Sequence, residues 1–309
     1  MPQPSNSGHV AETATELVGD TPLVHLDEFA SNLYGKVESI NPLSSVKDRV
    51  AVAMLETAEA NGELGPNTTI VEATSGNTGI GLAHAAAAMS YDLRLVMPDS
   101  MSQERRQILR ALGAELELTP AEEGMRGSID RADSLAESGD VFRPNQFENP
   151  ANPHAHRTGT GPEIEAALEG VDVLVVSVGT GGTLTGIARY FKRDLGREDV
   201  TVVAVEPVDS AVLSGDEPGS HDIPGLGAGF VPPILDVDLI DEIERVGTEA
   251  TYETTRELAR ETGVLAGLSS GAAVRAATRV ARRPAHESET VVTILPDTGE
   301  RYLSTGVFE

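Results

Sequence analysis

Short runs of β-branched and other apolar residues recur along the chain, separated by longer stretches in which apolar residues return at helical spacing. The runs TTIVEA (68–73), DLRLVMP (92–98), AELELT (114–119), VDVLVVSVG (171–179), VTVVAVEP (200–207) and TVVTILP (290–296) predict strands. Their largely apolar character predicts sheets covered on both faces. Helices are predicted over 46–61, 78–90, 102–113, 125–138, 158–169, 182–194, 248–262 and 270–282. Strand and helix alternating at this length build βαβ units and parallel sheets. The loop-rich stretch FRPNQFENPANPH (142–154) divides two such series. The expected fold is α/β, with two domains that each hold a mostly parallel twisted sheet flanked by helices. The smaller domain is expected over 35–150 and the larger over 12–34 plus 151–309, with a ligand cleft between them. No internal repeat or low-complexity segment interrupts this pattern.

Composition narrows the function. The net charge is −26, from 49 acidic and 23 basic residues spread along the chain. Such a surface repels phosphate backbones, which argues against nucleic-acid binding. Three lysines against twenty arginines, with abundant Asp and Glu, point to adaptation to high salt. The longest uncharged apolar run, Thr78 to Tyr91, has 14 residues, whereas a membrane-spanning helix needs roughly 20. Residues 1–10 carry neither a basic nor an apolar leader region, so they read as a disordered lead and not as a secretory signal. With no cysteine, disulfides and thiolate metal sites are excluded, and a cytoplasmic location is expected. His154 and His156, two apart in a loop, read as solvated, and the seven histidines form no metal pattern.

In open parallel sheets, ligands sit beyond the carboxyl ends of the strands, where helix N-termini point inward. Three loops rich in Gly, Ser and Thr are expected there: TSGNTG (74–79), GTGGT (179–183) and SSG (269–271). Each offers hydroxyls and backbone N–H groups to an anion, helped by the helix dipole. Taken singly, each also fits a simple helix cap. Convergence of all three, together with a lysine, points to a ligand site. Lys47 stands at the junction of a turn and a helix in NPLSSVKDR (41–49). Lys36, in a strand-like run, and Lys192, on a charged helix end, read as ordinary surface side chains.

NPLSSVKDR, EATSGNTG (72–79), NQFENPANP (145–153), SVGTGGT (177–183), GLGAGFVP (225–232), AGLSSGAA (266–273) and PDTGERYLST (296–305) occur in this order. Together they resemble the cysteine synthase (O-acetylserine sulfhydrylase) family, pyridoxal-phosphate enzymes of the tryptophan-synthase-β-like fold. The resemblance covers nearly the whole chain. It implies pyridoxal 5'-phosphate as cofactor and Lys47 as the Schiff-base lysine and general base, roles that a permanently protonated arginine cannot fill. By the same match Gly179, Thr180, Gly181, Gly182 and Thr183 would hold the 5-phosphate, and Asn77 the ring hydroxyl. Thr74, Ser75, Thr78 and Gln146, with Asn77 beside them, would hold the substrate α-carboxylate. Ser269, or alternatively Ser270, would face the pyridine nitrogen.

The implied reaction is β-replacement, from O-acetylserine and sulfide to cysteine and acetate. Its two half-reactions imply ping-pong kinetics. O-phosphoserine sulfhydrylase and cystathionine β-synthase-like activities stand as alternatives. A phosphoserine substrate should require an additional arginine near its phosphate. A chain ending at Glu309 is expected to carry no appended regulatory domain. The resemblance also implies a homodimer and admits a serine acetyltransferase partner. A dinucleotide site is the more distant alternative: GTGGTLTG (179–186) imitates the fingerprint, but Leu184 occupies its sixth position.

Overall fold

The computed structural model describes residues 10–137, 139–168 and 170–309; of the expected N-terminal lead, only Val10 falls among them. Along these residues the strands are β1 (Leu23–His25), β2 (Leu33–Val37), β3 (Thr69–Ala73), β4 (Leu93–Pro98), β5 (Glu115–Thr119), β6 (Val141–Phe142), β7 (Val173–Ser177), β8 (Thr201–Pro207), β9 (Glu242–Val246) and β10 (Val291–Leu295). The helices are α1 (Lys47–Ala60), α2 (Asn77–Met89), α3 (Gln103–Ala111), α4 (Gly124–Ala136), α5 (Ala151–Ala155), α6 (Gly161–Ala167), α7 (Gly182–Arg189), α8 (Thr248–Thr262) and α9 (Leu268–Ala281). All six predicted strands and all eight predicted helices are present, with ends moved by a few residues; the predicted helix ends at 138 and 169 lie outside the described residues.

The strands form two sheets. One has the order β1-β2-β10-β7-β8-β9 and the other β5-β4-β3-β6. Every pairing is parallel except that of β1 with β2, an antiparallel edge with Leu23 opposite Lys36. The physical basis is clearest in the larger sheet. All five residues of β10 are buried, and β7 and β8 alternate two apolar faces. Val173, Val175, Val203 and Val205 pack with Ala272, Ala276 and Val280 of α9. Leu174, Val176, Val202 and Ala204 face the opposite way, toward Ile187 of α7 and Phe191. Fully burying each large aliphatic side chain contributes roughly 1.5–3 kcal/mol, so the strand ends that carry the site rest on a rigid base.

The expected boundary at 35 falls inside β2, whose residues Leu33 to Val37 pair in register with Val291 to Leu295. The whole of that strand therefore belongs to the larger sheet. The stretch 142–154, expected as loop, begins on the last residue of β6 and contains most of α5 at its end. Asn and Pro mask α5, but Pro153 stands in its first turn, where a missing N–H does no harm. From α5 the chain continues through a π-helical turn, His156–Thr160, into α6. β9, EIERV, escaped prediction because it is a half-exposed edge strand with charges at three of its five positions.

Candidate active site

The stretch before Lys47 is stitched to the end of β10. Val46 N–H donates to Pro296 O at 2.8 Å, and Ser45 bridges Asp297. Leu43 N–H donates to Asp48 Oδ2 at 2.7 Å and Lys47 N–H to Ser45 Oγ at 3.2 Å, which closes the turn and starts α1. Lys47 keeps part of its surface open to the cleft but is otherwise enclosed by protein. Desolvation pushes its ammonium down to about 8, with the Asp297 carboxylate pulling the other way. A lysine so placed is a free amine for about a tenth of its time at pH 7, far more often than an ordinary lysine, and able then to act as nucleophile or base.

Behind Lys47 lies a buried ion cluster that holds α1. Arg49 Nε donates to Glu38 Oε2 at 2.7 Å, and Arg49 Nη2 to Glu163 Oε2 at 2.6 Å. Lys36, fully buried, donates to the same Glu163 oxygen at 2.6 Å. Burial works against the Glu163 carboxylate, yet hydrogen bonds from Arg49 and Lys36 hold it down at about 2. Lys192 is also buried and pairs with Asp241 at 2.6 Å. Both lysines are thus structural ion pairs instead of the surface side chains expected. Their neighbours in sequence gave no sign of distant carboxylates.

The three loops converge on one cavity of about 330 Å³, bordered by Lys47, Thr74, Asn77, Thr78, Gln146, Gly179, Thr180, Gly181, Thr183 and Ser269. Ser75 and Gly182, both expected at the site, do not border it. Ser75 is half-buried beside Thr74, and Gly182 opens α7. Thr78 Oγ1 donates to Gln146 Oε1 at 2.7 Å, so the two side chains present one polar wall. Ser269 borders the cavity in the first turn of α9, while the fully buried Ser270 does not, and among the described residues its hydroxyl has no partner.

The loop after β7 forms a cradle that side chains would fill. Gly181 has φ +83°, and a Cβ there would lie 2.7 Å from Leu235 Cβ. A Cβ on Gly179 would lie 2.3 Å from Gly225 O. Thr180 and Thr183 place hydroxyls around this cradle at the N-terminal end of α7. Asn152 Nδ2 donates to Thr180 Oγ1 at 3.1 Å. Thr183 Oγ1 stands 3.2 Å from His156 Nε2, and His156 Nδ1 is 2.9 Å from Thr160 Oγ1. His156, expected to be solvated, is fully buried, because α5 and α6 form one nearly continuous helical stretch. Burial, then the nearby Arg49 and Lys47 charges, keep its imidazole neutral.

Three further residues at the cleft were not singled out from sequence. Asp297 is buried and accepts from Asn77 Nδ2 at 2.7 Å and from the Tyr302 hydroxyl at 2.6 Å. Burial raises its carboxyl above the usual range, opposed by these hydrogen bonds. Asp297 and Tyr302 lie in PDTGERYLST, so the motif carried the signal although the individual residues did not. Arg105 of α3 also borders the cavity, and nothing in its arginine-rich surroundings distinguishes it. Among the described residues, no group of three or more His, Asp or Glu side chains could hold a metal ion.

An enclosed, partly deprotonated lysine opposite a glycine cradle with two hydroxyls and a helix N-terminus suits a phosphorylated aldehyde. Residues 14–297 match the family described as pyridoxal-phosphate dependent enzyme. The chain belongs to that family, and its cofactor is pyridoxal phosphate. Within the family, it is 49% identical over 303 residues to a cysteine synthase of Staphylococcus aureus, covering 96% of this chain and 97% of that one. The fold matches a solved cysteine synthase of Entamoeba histolytica with a TM-score of 0.96 at 39% identity, over 100% of this chain and 94% of that one. It also matches an O-ureido-L-serine synthase, with a TM-score of 0.92 at 44% identity over 97% of this chain and 96% of that one.

Proposed function

We propose that the protein is a cysteine synthase that converts O-acetylserine and sulfide to cysteine and acetate. The observation that carries this reading is the enclosed Lys47 amine, which shares one cavity with the phosphate cradle and the Thr78–Gln146 wall. When bound, pyridoxal phosphate supplies an aldehyde that condenses with amines and a ring that accepts electron density from the substrate Cα.

The chain's own residues supply position and proton transfer. Gly179, Thr180, Gly181, Gly182 and Thr183 hold the phosphate, with neutral His156 fixing the Thr183 hydroxyl. Asn77 holds the ring hydroxyl and Ser269 the pyridine nitrogen. Thr74 and the Gln146 amide, with Thr78, whose hydroxyl turns from Gln146 Oε1 to donate, and with Ser75 beside Thr74, grip the α-carboxylate with neutral donors. Lys47 Nζ takes the proton from Cα, acetate departs from Cβ with the bonding pair, and hydrosulfide adds there. Lys47 then returns the proton to Cα. Acetate leaves before sulfide reacts, so the kinetics are ping-pong.

The resemblance also supports a homodimer and admits a serine acetyltransferase partner, and the cysteine-free composition favours a cytoplasmic location. The net charge of −26 supports adaptation to high salt. Among the described residues no helix is long and apolar enough to cross a membrane.

The test is cysteine formation by the holoenzyme from O-acetylserine and sulfide, with Lys47→Ala as control. Wild type should turn over and Lys47→Ala should not, while keeping its fold. Near wild-type synthesis by Lys47→Ala removes the central assignment. Turnover of O-phosphoserine alone, or of homocysteine in place of sulfide, moves the function to one of the neighbouring β-replacement activities.

A further inference from the structure

We propose that Arg105 is the residue that receives the group leaving Cβ, its guanidinium binding the oxyanion of acetate or phosphate. This rests on the β-replacement reading and identifies a specificity-determining side chain for it.

Among the described residues, three charged side chains border the cavity: Lys47, Arg105 and Asp297. Lys47 is committed to the cofactor and the α-proton. Asp297 already accepts from Asn77 and Tyr302. Arg105 is half-buried, and among the described residues its guanidinium donates to no partner; its backbone N–H alone is bonded, to the capping hydroxyl of Ser102 at 3.4 Å. The adjacent Arg106, by contrast, donates to Asp99 O.

Helix stability does not account for Arg105. It stands in the first turn of α3, where the helix dipole favours acidic residues such as Glu104 and disfavours cations. Nor does the α-carboxylate, which the neutral Thr74, Thr78 and Gln146 receive. Arg105 lies instead on the Asp297–Tyr302 side of the cavity. Burial raises both of those groups, and the Arg105 charge is among the influences that oppose the rise. The anion that remains for it is the one created at Cβ.

The charge balance of the reaction gives this site a purpose. The Cβ–O bond breaks with its electron pair going to oxygen, so acetate carries away one negative charge. Hydrosulfide brings one in and forms the Cβ–S bond with its own pair. Both ions must pass through the field of a chain with a net charge of −26. A guanidinium at the cleft that, among the described residues, donates to no carboxylate makes the local potential attractive to each of them, offset only in part by the Asp297 carboxyl on which its charge acts. Its planar fork also suits a carboxylate or phosphate oxyanion.

The test compares wild-type, Arg105→Gln and Arg105→Lys holoenzymes at constant ionic strength. The readouts are kcat/KM for O-acetylserine and for O-phosphoserine, product inhibition by acetate and by inorganic phosphate, and binding of L-serine read from cofactor absorbance. L-Serine has the α-carboxylate but a neutral β-hydroxyl. Arg105→Gln should lower kcat/KM for the working ester roughly 10- to 100-fold, the range for a lost charge-assisted hydrogen bond. Inhibition by the matching anion should weaken in parallel and L-serine binding should stay unchanged, with Arg105→Lys recovering part of the loss. A larger loss on acetylserine identifies acetate as the guest, and a larger loss on phosphoserine identifies phosphate. Unchanged kinetics and inhibition in Arg105→Gln overturn the proposal, as does a parallel fall in L-serine binding. Should wild type turn over neither ester, the functional reading fails on its own. The anion site is then judged by whether acetate or phosphate raises the melting temperature of wild type more than that of Arg105→Gln; equal shifts overturn it.

Discussion

Asn77 Nδ2 donates to Asp297 Oδ2 at 2.7 Å, which joins the start of α2 beside the four-stranded sheet to the end of β10 in the six-stranded sheet. Arg301 donates to the Asn77 oxygen and to Leu43 O, so both ends of the Asn77 amide are fixed. Its orientation is therefore set before any ligand arrives, with one N–H of Nδ2 left for the cavity.

Asp297 also acts on Lys47, and the sign of that action is testable. Desolvation lowers the Lys47 ammonium to about 8, and the Asp297 carboxylate holds it from falling further. Capture of pyridoxal phosphate by the apoprotein needs the free amine. Its rate should rise with pH through an apparent pKa near 8 in wild type. Asp297→Asn removes the opposing charge, so the same curve should move to lower pH. Stopped-flow absorbance of cofactor capture measures both curves. A shift to higher pH, or none, breaks the link between the two residues.

The ion cluster behind Lys47 predicts a second pH effect, on stability. Glu163 sits at about 2 in the folded protein against an ordinary value of 4.5. A depressed carboxylate contributes stability that is complete above 4.5 and is lost as pH falls toward 2. Glu163→Gln leaves Lys36 and Arg49 with one carboxylate fewer, and should destabilise by roughly 3–5 kcal/mol near neutral pH. It should also flatten the stability profile over the acid range. Urea melts of both proteins across that range supply the comparison, and equal slopes would remove Glu163 from the account.

Salt should act in the opposite direction to its usual effect on surface ion pairs. With a net charge of −26, self-repulsion weakens the compact state when ions are scarce. The Debye length shrinks from about 10 Å at 0.1 M to about 3 Å at 1 M. The melting temperature should rise markedly between those two concentrations of KCl. A flat or falling trend in calorimetry argues against adaptation to high salt.

How much of this was legible in sequence depended on the range of the interactions. The strands around Val173–Ser177 and Val291–Leu295 were legible because burial on both faces demands apolar residues throughout. Lys47 and the glycine loops were legible because their chemistry is local to a turn and a helix start. Asp297 was not, since its meaning lies in Asn77, 220 residues away. His156 was misread for a related reason. Two histidines among Asn and Pro resemble a loop, and only the packing of α5 and α6 against α7 buries one of them. Arg105 looked like any arginine on an exposed helix, because a missing partner has no signature in sequence.

The two serines at the start of α9 allow a test of reaction type. Ser269 borders the cavity, whereas Ser270 is fully buried and, among the described residues, its hydroxyl has no partner. If Ser269 faces the pyridine nitrogen, its hydroxyl supplies a hydrogen bond but no charge, so the nitrogen stays largely neutral. Electron density from Cα is then poorly held by the ring, and loss of a β-leaving group is the easy exit. Ser269→Ala should be mild, since it removes one neutral hydrogen bond worth roughly 0.5–1.5 kcal/mol, at most about a tenfold change. Ser269→Asp should be worse, because a carboxylate there keeps the nitrogen protonated and strengthens the ring as an electron sink. Long-wavelength absorbance should build up during turnover, or cofactor should be lost as pyridoxamine phosphate. Absorbance spectra of the two variants with O-acetylserine decide the matter. Wild-type spectra from Ser269→Asp alongside disturbed ones from Ser270→Asp transfer the role to Ser270, and undisturbed spectra from both remove this helix start from the cofactor ring.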